Sequence, residues 1–522
     1  MKYLIYDIQH MPLWLSGTLV LLYVALFAYF VYIIVHYGRK HNCFLLPIVM
    51  VGLGLSACTS VTDTPVVAPV STMQLTVNGL SYDINLATTD TVNLRALSVE
   101  FPAQFSVANH SRFANLTIGG KPVVGGTCSL QIDTISHRHH IELCYTLDGK
   151  NRRIVLNTLH KNIPQLQTSG KATSAGHFYL SYVYMRLIEK VDNNGRLLFY
   201  RFEPLPSIER NSTGWWDFKK HQALDGNTYY SYQEPDDKYA SWRFNGFNPG
   251  KRVILDAQYN KVKEIQLEAA PHVLKGYPVD GHDFYMFTPD HYIVMSYIDR
   301  DTIINQRDTV LASAYIQEVE GGKVVFDWWS LNHGEMATMT DPCFATTAGK
   351  DYVHLNSIDV LPDGNLLCSF RHISSVLKID RQGKTGDILW RVAGADNDGG
   401  YAFHGQHYAR YHAADGTITL FNNGNDTGRT QMLRLAVDVN SGAVSQSTIL
   451  LNDGYYAQAC GALSFSGDNM IVGWGIPGEN EANNRLLTEY DAVGNAIFTI
   501  TLPTAKSQLN GVLATYRCVK CQ

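Results

Sequence analysis

His354-Leu355-Asn356-Ser357-Ile358-Asp359-Val360-Leu361-Pro362-Asp363-Gly364-Asn365-Leu366-Leu367-Cys368 is one half of a repeating unit, and that unit decides the fold. An apolar run leads into Asp363-Gly364, and a second apolar run follows. Asp-Gly between two such runs signals a β-hairpin, because glycine accepts the positive φ that the turn requires. The same order recurs around His282, where Gly281-His282-Asp283-Phe284 precedes Pro289-Asp290 and Tyr292-Ile293-Val294-Met295. It recurs around His407, where Gly405-Gln406-His407-Tyr408 precedes Asp415-Gly416 and Thr417-Ile418-Thr419-Leu420. Later strands follow in each copy, such as Val376 to Asp380 before Gly383, and Leu433-Arg434-Leu435 before Val437-Asp438 and Gly442. Copies start near residues 182, 217, 282, 354, 407 and 460, the last three at a spacing of 53. Four-stranded units of this length predict a six-bladed β-propeller over residues 170–522. The last run, Gly511 to Thr515, is expected to pair back with the first copy and close the ring. Equivalent positions in a closed ring point at one axis, so His282, His354 and His407 are expected to meet.

Composition agrees with an all-β exported protein. The 522 residues are 45% hydrophobic and only 17% charged, with 30 Tyr and 21 Phe. A net charge of −5 argues against nucleic acid as a partner, since phosphate binding needs a basic surface. Residues 1–57 read as a membrane or signal segment. The run from Pro12 to His36 is uncharged, Arg39-Lys40 follow it, and a second apolar run ends in Leu55-Ser56-Ala57-Cys58. Small residues before a cysteine resemble a bacterial lipoprotein signal, with Cys58 as the lipidated residue. Lipid anchoring at the periplasmic or outer-membrane face is therefore expected, with residues 58–73 as a tether. Two plain transmembrane helices are the competing reading of the same stretch.

Residues 74–165 read as a small N-terminal β-sandwich, from short strands such as Gln74-Leu75-Thr76-Val77 and His140-Ile141-Glu142-Leu143 between Gly, Asn and Asp turns. Cys128 and Cys144 fall on neighbouring expected strands there and form the candidate disulfide. His137-Arg138-His139-His140 reads as an exposed basic loop rather than a metal site. Cys518-Val519-Lys520-Cys521 stands without a second CxxC, so it reads as a structural bridge or free thiols, not zinc.

The most specific stretch is His354-x-Asn356-Ser357 followed by Ser369-Phe370-Arg371-His372. With Gly281-His282-Asp283 and Gln406-His407, it resembles the arylsulfate sulfotransferase family over about residues 170–522. The resemblance implies a propeller with a central active site, no cofactor, an aryl sulfate donor, a phenolic acceptor and a homodimer. It implies transfer of a sulfuryl group without a nucleotide sulfate donor. By that resemblance His407 is the nucleophile that becomes a sulfohistidine, and His354, Arg371 and His282 are the other catalytic residues. Asn356 is the expected substrate-binding or orienting group.

Chemistry supports the set on its own. A sulfuryl group is an anion with three oxygens, so its site needs a nucleophile and N–H donors rather than two acids. Imidazole is largely neutral near pH 7, and the arginine fork suits two oxygens at once. Zinc on the three histidines is disfavoured because Arg371 would repel it. A nucleotide-dependent enzyme is disfavoured because no GxxxxGK[ST] motif occurs. His404 and His372 have the opposite strand parity and are expected to point away from the site. Trp215, Trp216, Trp328 and Trp329 are assigned mostly to the core. The alternative function is a lipid-anchored propeller that binds a surface partner without catalysis.

Overall fold

Thr72–Val77 buries Met73, Leu75 and Val77 and exposes the residues between them, the period of two that a half-buried strand imposes. That pattern repeats through the computed structural model, which describes residues 72–97, 102–131, 140–160, 163–203, 214–239, 246–304, 307–339, 341–344, 351–395, 399–479, 484–502 and 514–521. The structure is all-β, with 3-10 turns as the only helical segments among the described residues. The expected signal segment, Cys58, residues 59–71 of the tether and His137-Arg138-His139 lie outside the described residues, as does the side chain of His140. Thr72 and Met73, read as the end of the tether, instead begin the first strand.

Two sheets form the N-terminal part. One runs Leu80–Asn85, Thr72–Val77, Ala103–Val107, Thr127–Leu130. The other runs Thr91–Leu97, Lys150–His160, His140–Leu147, Ala114–Ile118, Lys121–Pro122. Their inward residues, among them Leu75, Phe105, Leu143 and Leu156, share one apolar core. This arrangement corrects the expected disulfide. Cys128 and Cys144 are both free thiols, and they sit on strands of different sheets. Cys128 is buried on the core face of Thr127–Leu130. Cys144 lies between buried Leu143 and Tyr145, so strand alternation turns it outward towards Glu142, 3.9 Å away.

Among the described residues, six further sheets of four or five strands follow, with a two-stranded pairing of Ala457–Ala459 and Ile476–Pro477 besides. In one, Leu355–Val360, Leu366–Phe370, Ser375–Ile379 and Ile388–Ala393 pair antiparallel in chain order. The same meander occurs from Trp216 to Ile265, from Phe284 to Trp329 and from His407 to Leu451. The remaining two sheets take a strand from elsewhere in the chain. Gln167–Gly170 pairs with Ala496–Leu502 at the edge of the last sheet. Thr515–Cys521 pairs with His177–Tyr182 and leads the first. The closing strand is thus Thr515–Cys521 rather than Gly511–Thr515, and residues 511–513 are outside the described range. The copy expected to start near 182 is corrected for the same reason, because its leading strand comes from the C-terminus. Cys518 and Cys521, three apart on that strand, point to opposite faces and are both free.

The leading strands of successive sheets pack side by side: Thr515–Cys521 against Trp216–Gln222, Phe284–Thr288 against Leu355–Val360, and Leu355–Val360 against His407–His412. His407–His412 meets Ala462–Ser466, which returns to Thr515–Cys521. Where they converge, buried Asp217 accepts from Arg252 at 2.6 Å, from Arg517 at 2.6 Å and from Lys219 at 3.0 Å. Buried Asp283 accepts from Lys219 at 2.7 Å, Arg410 at 2.7 Å and Arg517 at 3.2 Å. Burial alone would raise both carboxyls, but the surrounding cations overcome it and hold Asp283 well below the usual carboxylate range.

Removing one partner of a buried ionic cluster leaves charge uncompensated. Arg517→Ala is therefore expected to lower unfolding free energy by about 3–5 kcal/mol in a urea titration. Arg153→Ala, which breaks an exposed pair with Glu142, should cost about 0–1 kcal/mol. Equal effects would contradict the cluster's role. Cys144 should alkylate in the folded protein under non-reducing conditions, whereas Cys128 should react only after unfolding. Failure of both to react until a reductant is added would restore the disulfide.

Candidate active site

His354, just before the strand Leu355–Val360, lies in the left-handed region with φ 52°; Tyr408, second in His407–His412, and Cys460, two residues before Ala462–Ser466, do the same with φ 52° and 62°. Such a conformation costs about 1–2 kcal/mol for a non-glycine residue and persists where surroundings over-determine it. Leu355 and His407 stay paired with Phe370 and Phe421, and the residues just after them leave the regular ladder. The register slips between Leu355 and Ser357 and between His407 and Arg410. Gly405 makes the second bend possible. It has φ 67°, and a Cβ there would lie 2.0 Å from Asn425 Oδ1.

These bends gather the histidines. The rings of His282 and His354 meet edge to face with centroids 4.9 Å apart. His354 in turn stacks on His372 at 4.6 Å. The Arg371 Nη1 donates to His372 Nε2 at 3.0 Å, and Nη2 donates to the Gln458 carbonyl at 3.2 Å. The guanidinium lies 4.5 Å above the Phe344 ring, and its Nε is buried with no partner among the described residues. His407 is buried, and both His282 and His354, with Arg371, are close enough to act on it electrostatically. The structure therefore brings His282, His354, Arg371 and His407 into one place. Asn356 adjoins them, its Nδ2 donating to the Gln406 carbonyl at 2.7 Å while its Oδ1 has no partner among the described residues.

Hydrogen-bond logic fixes the proton on His407. Asn423 Nδ2 donates to the carbonyls of Ala457 at 2.8 Å and Cys460 at 3.1 Å, neither of which can donate. Its Oδ1 must then face His407 Nδ1, 2.7 Å away, so Nδ1 carries the hydrogen and Nε2 keeps its lone pair. Burial first, and then the Arg371 charge, holds His407 well below the ordinary imidazole pKa. His354 is lowered well below it by burial, His282 and Arg371. His372 falls to about 3, from burial and then His354. His354, His372 and His407 are thus neutral imidazoles beside one guanidinium.

Four participating residues were not legible beforehand. Asp280 accepts from His282 Nδ1, and Asp351 pairs with His354 Nδ1. Burial pushes Asp351 up to about 6. Asn423 sets the His407 tautomer, and His372 supports Arg371, which corrects the expectation that His372 points away. An aspartate two or three residues before each of two histidines was the available signal. The expectation for His372 failed because Arg371–Ser374 is a turn, where strand parity does not apply. His404 pairs with Asp341 at 2.7 Å. Trp216 lies edge-on to His282 at 5.3 Å and stacks on Tyr516 at 4.3 Å, while Trp215, Trp328 and Trp329 pack in apolar cores.

Imidazole-labelled nitrogen NMR should find His407 protonated at Nδ1 only, and still uncharged below pH ~6.5, the ordinary value. Asn423→Ala should abolish the tautomer preference. A mixed tautomer in the parent protein would contradict the hydrogen-bond assignment.

Residues 238–502 match the family model described as arylsulfotransferase (ASST). No curated protein matches the chain. Among solved structures, a protein of unknown function from Bacteroides caccae is 12% identical with a TM-score of 0.40, covering 66% of this chain and 98% of that one. A quinonprotein alcohol dehydrogenase-like protein from Bacteroides thetaiotaomicron is 10% identical with a TM-score of 0.34, covering 83% and 96%. Virginiamycin B lyase from Staphylococcus aureus is 11% identical with a TM-score of 0.28, covering 65% and 99%. At these scores the likenesses bear on neither fold nor function.

Proposed function

Because the chain belongs to the arylsulfotransferase family, we propose that it moves a sulfuryl group from a phenolic sulfate ester to a phenolic acceptor in two half-reactions through a sulfohistidine on His407. The observation that carries this reading is the His407–Asn423 contact, which leaves an uncharged Nε2 lone pair in a buried site.

In the first half-reaction His407 Nε2 attacks sulfur and the bond from sulfur to the aryl oxygen breaks. Charge grows on that oxygen as the bond lengthens. His354 Nε2 supplies the proton, with Asp351 balancing the ring through Nδ1. In the second half-reaction the acceptor hydroxyl attacks sulfur, its proton returns to His354, and the nitrogen–sulfur bond breaks to restore neutral His407. Arg371 holds the sulfuryl oxygens through N–H groups not engaged by His372 or Gln458, its unpaired Nε included. His282, clamped by Asp280, and Asn356 complete the anion pocket. Loss of one such donor typically costs about 10²–10³ in rate.

The same reading takes the six sheets as six blades around one axis, preceded by a small β-sandwich. The side-by-side packing of leading strands and the pairing of Thr515–Cys521 with the first sheet support it. Leu55-Ser56-Ala57-Cys58 supports export with lipid attachment at Cys58, and the family resemblance supports a homodimer.

The test is a burst experiment. Enzyme mixed with 4-nitrophenyl sulfate alone should release one equivalent of phenol and carry an adduct of sulfuryl mass on the His407 peptide. A second phenol should discharge it. His407→Ala should lose burst and adduct, and full turnover by that variant would overturn the assignment. Arg371→Lys should fold and lose most activity, because a point charge cannot grip two oxygens.

The pH dependence follows from Asp351. With its carboxyl raised to about 6, the pair with His354 holds the extra proton below that pH and loses it above. Burst rates for sulfates of poorly leaving phenols should therefore fall as pH rises through about 6. Rates for 4-nitrophenyl sulfate, whose phenolate needs no proton, should change little. Identical profiles would remove His354 from proton transfer.

A further inference from the structure

Beside the active site, three side chains from two segments converge without a part in the chemistry above. Asp341 Oδ2 lies 2.7 Å from His404 Nδ1, and Cys343 Sγ lies 3.8 Å from the same nitrogen. The ligand atoms of Asp341, Cys343 and His404 are all within 4.8 Å of one another. We propose that Asp341, Cys343 and His404 form a structural zinc site.

The donor set is thiolate, imidazole and carboxylate, which matches zinc rather than calcium or magnesium. With bonds of about 2.3 Å to sulfur and 2.0–2.1 Å to nitrogen, a tetrahedral edge between Sγ and Nδ1 is about 3.6 Å. The observed separation of 3.8 Å is already near it. The Asp341–His404 hydrogen bond would open slightly to admit the ion. A second, independent feature points the same way. His404 Nε2, the nitrogen turned from the cluster, faces Asp426 Oδ2 at 3.6 Å. Histidines that bind metal usually donate their other N–H to a carboxylate, which aims the lone pair at the ion. Binding would then move the His404 proton to Nε2 and release the Cys343 thiol proton to solvent. Asp341 is further fixed by the backbone N–H of Cys343 at 2.8 Å and by Ser374 Oγ at 2.5 Å. A cavity of ≈ 470 Å³ lined by His404, Asp426 and Arg429 gives the ion and a fourth, water ligand a route in.

Asp351, His354 and His372 also cluster within ligand distance. That group carries no such proposal, because the Arg371 guanidinium 3.0 Å from His372 Nε2 opposes a cation. The site at Asp341 would instead join the turn that carries Phe344, the platform under Arg371, to the segment that leads through Gly405 to His407. Zinc would therefore stiffen both catalytic segments without touching substrate.

The experiment is metal analysis of the full chain, loaded with zinc and dialysed against metal-free buffer. One zinc per chain should remain, and Cys343→Ala and His404→Ala should each lose it. Cobalt loaded in place of zinc should give the parent protein a thiolate-to-cobalt charge-transfer band, absent in Cys343→Ala. Zinc should also protect Cys343 from alkylation while leaving Cys144 reactive. Lack of retained metal and of the charge-transfer band in the parent chain would overturn the proposal, whatever the variants' folding. So would undiminished zinc in both variants, which would place the ion elsewhere.

Discussion

Two buried carboxylates, Asp217 and Asp283, hold the centre of this protein together. Each is shared among cations that arrive from different sheets: Lys219 and Arg252 from one, Arg410 from another, Arg517 from the closing strand. Ions taken out of water lose several kcal/mol of solvation each unless their partners are close and well aimed. That requirement ties leading strands to one another at fixed register, which apolar packing alone would not. Arg517 also reaches the Asn356 carbonyl at 3.4 Å, and Tyr516 beside it donates to the His282 carbonyl at 2.7 Å. The strand that the C-terminal segment adds to the first sheet is thus the strand that seats two residues of the site.

Beside this cluster lie the histidines of the site, where charge is treated in the opposite way. His354, His372 and His407 are kept neutral by burial and by Arg371, while the guanidinium keeps its charge. Low dielectric strengthens whatever attraction Arg371 has for an anion and penalises a cationic histidine. The two effects cooperate: the same burial that makes the anion welcome leaves His407 with an uncharged lone pair. Asn423 adds the directional part, choosing which ring nitrogen holds the hydrogen. Hydrogen bonds of Asp280 and Asp351 to the remaining histidines prevent those rings from turning, so little reorganisation is left for the moment of reaction.

Backbone conformation links the two levels. Left-handed residues at His354, Tyr408 and Cys460 stand at or just before the start of three leading strands, and in two of these the register slips after Leu355 and after His407. A regular strand would send alternate side chains into the cores between sheets. The slips interrupt that alternation beside His354 and His407.

Much of this was written in the sequence. Repeated Asp-Gly turns between apolar runs determined the all-β architecture, and the His354-x-Asn356, Ser369-x-Arg371 and Gln406-His407 segments hold residues that the structure brings together, because turn chemistry and strand alternation act over a few residues. Contacts between distant segments were beyond it. Strand spacing suggested a Cys128–Cys144 bridge, but the two strands belong to different sheets and the thiols face different ways. Parity excluded His372, but its residue lies in a turn whose geometry parity does not describe. The Asn423–His407 bond, the Arg517 cluster and the meeting of Asp341, Cys343 and His404 depend on which strands become neighbours. Tertiary structure alone decides that, since it brings together residues 300 positions apart, as in the Arg517–Asp217 pair.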